Sequence, residues 1–275
     1  MSTPHHANAQ TAPASFDSIA AQYDALEASN PILQWMRQRV HRAVLAHFAP
    51  RSRVLEIGCG TGTDALFFAQ HNYEIVAAEP SAEMLKIARE KIARAGYERQ
   101  AVFAQAGVEQ MPELVATHGR ASFDALFSNF GALNCTRDVL GFAKCSLQLL
   151  RPGGKLLVCV MPPLCPWEVA YYFLKLQPHE ATRRWRGLTE NGGIAVQVGE
   201  RLVQTYYHSI ASLHAIFEER FALLAQFSLG VLVPPPYLAH HSWLFKSTRG
   251  WDEKLSALPL LRDAGDHVVM IMQRR

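Results

Sequence analysis

Three glycines at alternate positions, Gly58, Gly60 and Gly62, stand in VLEIGCGTGT at residues 54–63, where a short apolar run carries one acid, Glu56. Glycine tolerates positive φ and lets another group approach the backbone closely. A glycine-rich turn between a strand and a helix is where open α/β sheets usually place a nucleotide-like ligand. A second acid, Glu79, closes the next apolar run, about twenty residues on, where a carboxylate can accept from both ribose hydroxyls. The loop departs from the dinucleotide fingerprint, since position 63 is Thr, and it has no lysine of the phosphate-loop kind. Ribose without pyrophosphate points to an adenosine cofactor such as S-adenosylmethionine.

Other residues could do chemistry nearby. Asn129 and Phe130 follow the run FDALFS, at the carboxyl edge of a sheet, where ligands bind. Asn129 suits orienting a substrate or the amino-acid end of the cofactor, and equally suits a turn. Cys59 reads as a small space-filling side chain inside the loop. His208 ends a strand-like run before SIASLHAIFEERF; a histidine there could act as a base near neutral pH, or be a packed, hydrogen-bonded residue. His240 and His241 are consecutive but lack the carboxylate or cysteine support of a metal site. Residues 162–208 gather Trp167, Tyr171, Tyr172, Trp185, Tyr206 and Tyr207 with Arg183, Arg184 and Arg186. As a roof these aromatics would pack a flat substrate, and Arg183 or Arg184 would pair with a carboxylate or phosphate. The other reading is a small aromatic core with a solvated basic face.

The elements that must position these groups alternate along the chain. PILQWMRQRVHRAVLAHF (31–48) has helical periodicity with a proline in its first turn. RVLEI, YEIVAAE, AVFAQA, FDALFS and KLLVCVM read as strands, with helices between them. SAEMLKIAREKIARAG has Ser81 as a cap, Glu83 in the first turn and Gly96 at the end. FALLAQFSLG (221–230) and DHVVMIMQRR (266–275) are the remaining strand candidates. Strands alternating with helices predict an α/β fold with a parallel sheet covered on both faces.

Composition narrows the classes. The 275 residues are 49% hydrophobic and 19% charged, with a net charge of +3, which argues for a globular core and against nucleic acid or an anionic membrane as partner. No run approaches the ~20 apolar residues of a membrane helix. Residues 1–14 read as a disordered tail without a signal peptide, leaving 15–275 as one domain. Five cysteines without a CxxC pair suggest neither a zinc site nor a disulfide framework, and so a reducing cytoplasm.

In sum, the chain resembles the class I S-adenosylmethionine-dependent methyltransferases, especially the broad ubiquinone/menaquinone-biosynthesis type. Four stretches in order carry the resemblance across 16–161: FDSIAAQYD, LEIGCGTG, AAEPSAEML and LLRPGGKLLV. It implies a Rossmann-like, doubly wound, mostly parallel seven-stranded sheet with an inserted roof at 162–208. It implies cofactor contacts from Tyr23, Glu56, Gly58, Cys59, Gly60, Glu79, Pro80, Gly107, Val108 and Asn129. Substrate contacts would come from Tyr23, Phe130, Trp167, Tyr171, Arg183, Tyr206 and His208, with His208 as base. The family usually has an Asp that accepts from the adenine amine, and Gly107 stands there in QAGVEQMP. Methyl transfer to a small-molecule acceptor, leaving S-adenosylhomocysteine, is the implied reaction; no metal and no nucleic acid are expected, and oligomeric state is not indicated. A nicotinamide-dependent oxidoreductase and a noncatalytic cofactor binder remain alternatives.

Overall fold

The computed structural model describes residues 12–239 and 242–275. His240, His241 and residues 1–11 of the expected tail lie outside the described residues. The tail was expected to run to residue 14, but helix α1 (Ala12–Asp17) already begins within it. The stretch FDSIAAQYD is helical but broken at Ser18 and Ile19, and α2 (Ala20–Ser29) follows.

Local chemistry sets the next helices. Asn30 caps α3 (Pro31–His47) by accepting from the backbone NH groups of Ile32 and Leu33, with Pro31 in the first turn. Strand β1 (Arg53–Ile57) leads through the glycines to α4 (Thr63–Gln70). Strand β2 (Glu74–Ala78) is followed by α5 (Ala82–Arg94), which Ser81 caps at Met84 N. Then come β3 (Ala101–Ala104), α6 (Met111–His118), β4 (Phe123–Ser128), α7 (Val139–Leu149) and β5 (Leu150–Val160). The expected insertion holds α8 (Pro166–Leu174), α9 (Pro178–Ala181) and α10 (Arg183–Arg186). It ends in an antiparallel hairpin, β6 (Ile194–Val198) and β7 (Arg201–Thr205), separate from the main sheet. Helix α11 (Ile210–Phe217), β8 (Phe221–Leu229), α12 (Ser242–Leu255) and β9 (His267–Arg274) complete the chain.

The seven-stranded sheet has the order β3-β2-β1-β4-β5-β9-β8. The first five strands in sequence are parallel, and β9 runs antiparallel to β5 and β8. Residues alternate between faces: Val54 joins the cluster with Met36, Phe68 and Phe127, while Leu55 and Ile57 join that with Phe142, Phe217 and Met270. Each large side chain buried this way contributes ~1.5–3 kcal/mol. The strand order reverses between β1 and β4, and the crevice beyond their carboxyl ends is the usual place for a ligand. Among the described residues, no helix is long and apolar enough to cross a membrane.

Candidate functional site

A cavity of about 430 Å³ opens at that crevice. Its floor is the glycine turn from Ile57 to Thr61, and its sides are Glu79 and Pro80, Gly107 to Gln110, and Asn129 to Ala132. Phe16, Tyr23, Glu27 and Arg37 from the three N-terminal helices close it, with Cys135 and Thr136.

The glycine turn is tight because the NH groups of Gly58 and Cys59 both donate to Ala78 O, at 2.8 and 3.0 Å. Gly58 has φ +79°, and a Cβ there would come within 2.4 Å of Ala132 Cβ. Gly58 is therefore needed for the fold as well as for approach, so a branched residue there would not leave the domain intact. Gly60 has φ +53° but open space beside it, with nothing nearer than Met84 Sδ at 3.9 Å. That cradle is where a ligand can touch backbone.

Glu79 is fixed by the turn it faces. Gly60 N donates to Oε2 at 2.9 Å and Ser81 N to Oε1 at 3.0 Å. Each oxygen keeps a second lone-pair direction. Burial raises the pKa of Glu79, and the two backbone donors partly offset this. Glu56 is buried beneath the wall rather than on it, and its Oε2 has no partner among the described residues. Burial, reinforced by Asp64, pushes its pKa well up.

Above the glycines lies a charged cluster. Arg37 binds Glu27 and Asp64, and its guanidinium lies 4.7 Å from the Phe130 ring centre. Asp64 Oδ1 is 2.6 Å from His41 Nε2, and Oδ2 accepts from Asn129 Nδ2 at 2.9 Å. Burial opposes charge on Asp64, but Arg37 and His41 override it and hold the carboxyl far below its ordinary range. Burial and Glu27 push Tyr23 upward, so its hydroxyl stays protonated. The helical cover is fastened at two points. Asp17 accepts from Ser81 Oγ at 2.5 Å and Glu83 N at 3.2 Å, while Asp24 pairs with Lys91 at 2.9 Å and accepts from Thr61 Oγ1.

Of the residues expected from sequence, Tyr23, Gly58, Cys59, Gly60, Glu79, Pro80, Gly107, Val108, Asn129 and Phe130 meet on the cavity wall. The roof residues do not. His208 is buried, with Nε2 donating to Leu133 O at 2.9 Å and Nδ1 2.7 Å from Thr189 Oγ1. Both ring nitrogens are engaged and burial lowers its pKa. It pins the insertion and is not placed as a base. Arg183 binds Glu168, and Arg184 spans Glu168 and Asp266 at 2.9 Å each. Trp167 donates to Leu232 O, Tyr171 packs on Tyr172 and Tyr237, and Tyr206 bonds through its backbone to Asn134. The insertion braces the site without lining it. Sequence reasoning missed Phe16, Glu27, Arg37, Asp64 and Gln110. Only Asp64, in the first turn of the helix after the glycines, carried a local signal.

Residues 54–154 match a family model described as a methyltransferase domain. The ubiquinone/menaquinone biosynthesis C-methyltransferase UbiE of Methylococcus capsulatus is 29% identical over 161 residues, covering 56% of this chain and 61% of that protein. The demethylmenaquinone methyltransferase of Beutenbergia cavernae is 31% identical over 171 residues, 58% and 62% of the two chains. This chain thus spans about three-fifths of the length of these curated relatives. Among solved structures, the CcbJ methyltransferase of Streptomyces caelestis superposes with TM-score 0.62 at 17% identity, over 94% of this chain and 97% of that one. The [4+2]-cyclase SpnF gives TM-score 0.62 at 15% identity over 97% of both. The domain match over 54–154, the relatives and the fold of the sheet make this chain similar to the class I S-adenosylmethionine-dependent methyltransferases.

The cofactor of that class is S-adenosylmethionine, and the walls fit it. Glu27, Asp64 and Glu79 outnumber Arg37 on the wall, and Glu56 lies orphaned below. A cavity with that balance favours a cationic ligand such as a sulfonium.

Proposed function

We propose that the protein transfers the methyl group of S-adenosylmethionine to a small, flat acceptor. The observation that carries this is Glu79, locked by Gly60 and Ser81 beside an open glycine cradle. Bound there, the cofactor supplies a methyl group already activated on sulfur, so that transfer is an in-line displacement governed by positioning. The chain's own part is to bind, orient and exclude water. Glu79 accepts from the ribose hydroxyls, and Gly107 to Gln110 flank the base. Glu27, Asp64 and Glu79 supply a negative field around the sulfur, and α1 and α2 keep solvent out. Phe16, Tyr23 and Phe130 offer aromatic surface to the acceptor. The relatives are named for C-methylation in ubiquinone/menaquinone biosynthesis, which favours a ring carbon as nucleophile.

Calorimetry with S-adenosylmethionine and S-adenosylhomocysteine is the test, followed by mass analysis of a panel of quinols, phenols, amines and thiols. Glu79→Ala removes the ribose acceptor and should weaken cofactor binding by ~1.5–3 kcal/mol. Unchanged affinity in Glu79→Ala would refute the ribose assignment. Binding of NADH instead of S-adenosylmethionine would favour the oxidoreductase reading. A tight S-adenosylhomocysteine complex with no methylated product would favour the noncatalytic one.

A further inference from the structure

We propose that α12 and the turn after it form a docking face for the surface of an anionic phospholipid bilayer. Helix α12 (SWLFKSTRGWDEKL) turns Phe245 and Asp252 inward. Asp252 pairs with Arg39 at 3.0 Å and accepts from the NH groups of Leu232 and Val233, which fixes the helix's rotation. With 3.6 residues per turn, that orientation leaves Trp243, Lys246, Trp251 and Lys254 on the outward side, while Arg249, one turn on from Phe245, is exposed at the edge next to α3. Trp243 is 66% exposed and Trp251 62%, and Leu258 and Leu260 in the following turn are 47% and 89% exposed. Large apolar side chains gathered on a surface mark an interaction site.

Charge and residue type identify the partner. The two acids of α12 are both engaged, Asp252 with Arg39 and Glu253 with Arg42 and Trp35. Lys246, Arg249 and Lys254 form no ion pair with any described residue; Arg249 and Lys254 instead lie over the rings of Phe245 and Trp251. Tryptophan among lysines and arginines matches the boundary between lipid headgroups and acyl chains, where an indole is half apolar and half wet. Each cation near an anionic surface adds to the attraction. The composition gave no sign of this face, because the net charge is only +3 and no apolar run is long. The face emerges once the buried side of α12 is known, and it does not depend on the proposed methyl transfer.

Co-sedimentation with vesicles tests the proposal. The full chain should bind vesicles of phosphatidylcholine mixed with phosphatidylglycerol, release them at high salt, and bind phosphatidylcholine alone poorly. Tryptophan emission should shift to the blue on binding and be quenched by brominated acyl chains. The triple variant Lys246→Gln, Arg249→Gln, Lys254→Gln should lower partitioning on the order of 10²-fold. The double variant Trp243→Ala, Trp251→Ala should lose the spectral shift, with thermal unfolding unchanged in both because every altered side chain is exposed. No binding to the mixed vesicles, or equal binding by parent and both variants, would overturn the proposal. So would a dimer in sedimentation velocity that the tryptophan variant dissolves while vesicles are ignored, which would assign the face to a second copy.

Discussion

Arg37 and Arg184 each bind two carboxylates in a largely buried place, yet they sit in regions with opposite electrostatics. Around Arg37, the carboxyls of Glu27, Glu56, Asp64 and Glu79 gather, with His41 on Asp64 as the other close partner. At the insertion, Arg183 and Arg184 face Glu168 and, from just before β9, Asp266, which His267 also meets. Titration follows each group's own partners. Burial raises Glu27, Glu56 and Glu79, whereas Asp64 against Arg37 and His41 is held far below its ordinary range and Asp266 against His267 and Arg184 is held down at about 2. Unbalanced charge leaves a field that a cationic ligand can satisfy; balanced charge is a strut. Residue type alone does not separate the two.

The largest effect should come from breaking the strut. Arg184→Ala leaves Glu168 with Arg183 alone and Asp266 with His267 alone, and removing one partner of a buried charge network costs about 3–5 kcal/mol. Denaturant unfolding should show that loss, with cofactor affinity in the folded fraction kept, since Arg184 is not on the cavity wall. A loss below about 1 kcal/mol would mean that the network behaves as a surface pair.

Acid should separate the regions next. Asp266 has a folded pKa below its ordinary 3.8, so its stabilisation is present above 3.8 and is lost as pH falls towards about 2. At ~1.4 kcal/mol per unit, that amounts to about 2–3 kcal/mol. Glu79 has the opposite sign: its pKa is raised above 4.5, so its protonated form favours the fold, and ionisation costs stability as pH rises. On acidification, cofactor affinity should begin to fall above pH 4.5 while the fold persists until Asp266 protonates. Circular dichroism and calorimetry on one pH series would check this. Unfolding that precedes the loss of affinity would contradict the assignment.

His208→Ala is a smaller perturbation of the same strut. It removes one partner from Leu133 O and one from Thr189 Oγ1, which keep Thr136 N and Tyr207 O, at a cost of ~1 kcal/mol in stability. Turnover at saturating cofactor should keep the parent's pH profile. A drop on the order of 10²-fold or more without loss of stability would restore His208 as a base.

What was legible in sequence follows from range. The alternation of strands and helices, the glycine turn, and Glu79 beside it rest on local pattern, so their positions could be read directly. The fastening of Arg37 to Asp64, and of Arg184 to Asp266, joins residues far apart in the chain and leaves no local periodicity. That is why the arginines of 162–208 read as substrate ligands and the N-terminal charges went unnoticed. Fold likeness does not settle the reaction either. One neighbour at TM-score 0.62 is named a methyltransferase and another a cyclase, so the argument for function rests on the site.

The smallest effect should sharpen the pocket side. At Gly107 the family's adenine-binding acid is missing, and the NH of Gly107 instead donates to Gln110 Oε1 at 2.9 Å. Its φ is not positive, so a side chain is not strained there. An added Cβ would meet Gln110 Oε1 and Pro80 Cγ at 3.3 Å, close enough that the Gln110 side chain must give way by a few tenths of an ångström. Gly107→Asp should therefore fold and offer the adenine amine a new acceptor, gaining a hydrogen bond worth about 1 kcal/mol, or roughly fivefold in affinity. The gain stays modest because the wall is already acid-rich and Gln110 loses its partner. Calorimetry on Gly107→Asp and Gln110→Ala together separates the terms. Tightening in the first and weakening in the second would mean that Gln110 serves the base in place of the missing acid. No change in either would show that this edge of the cavity does not touch adenine.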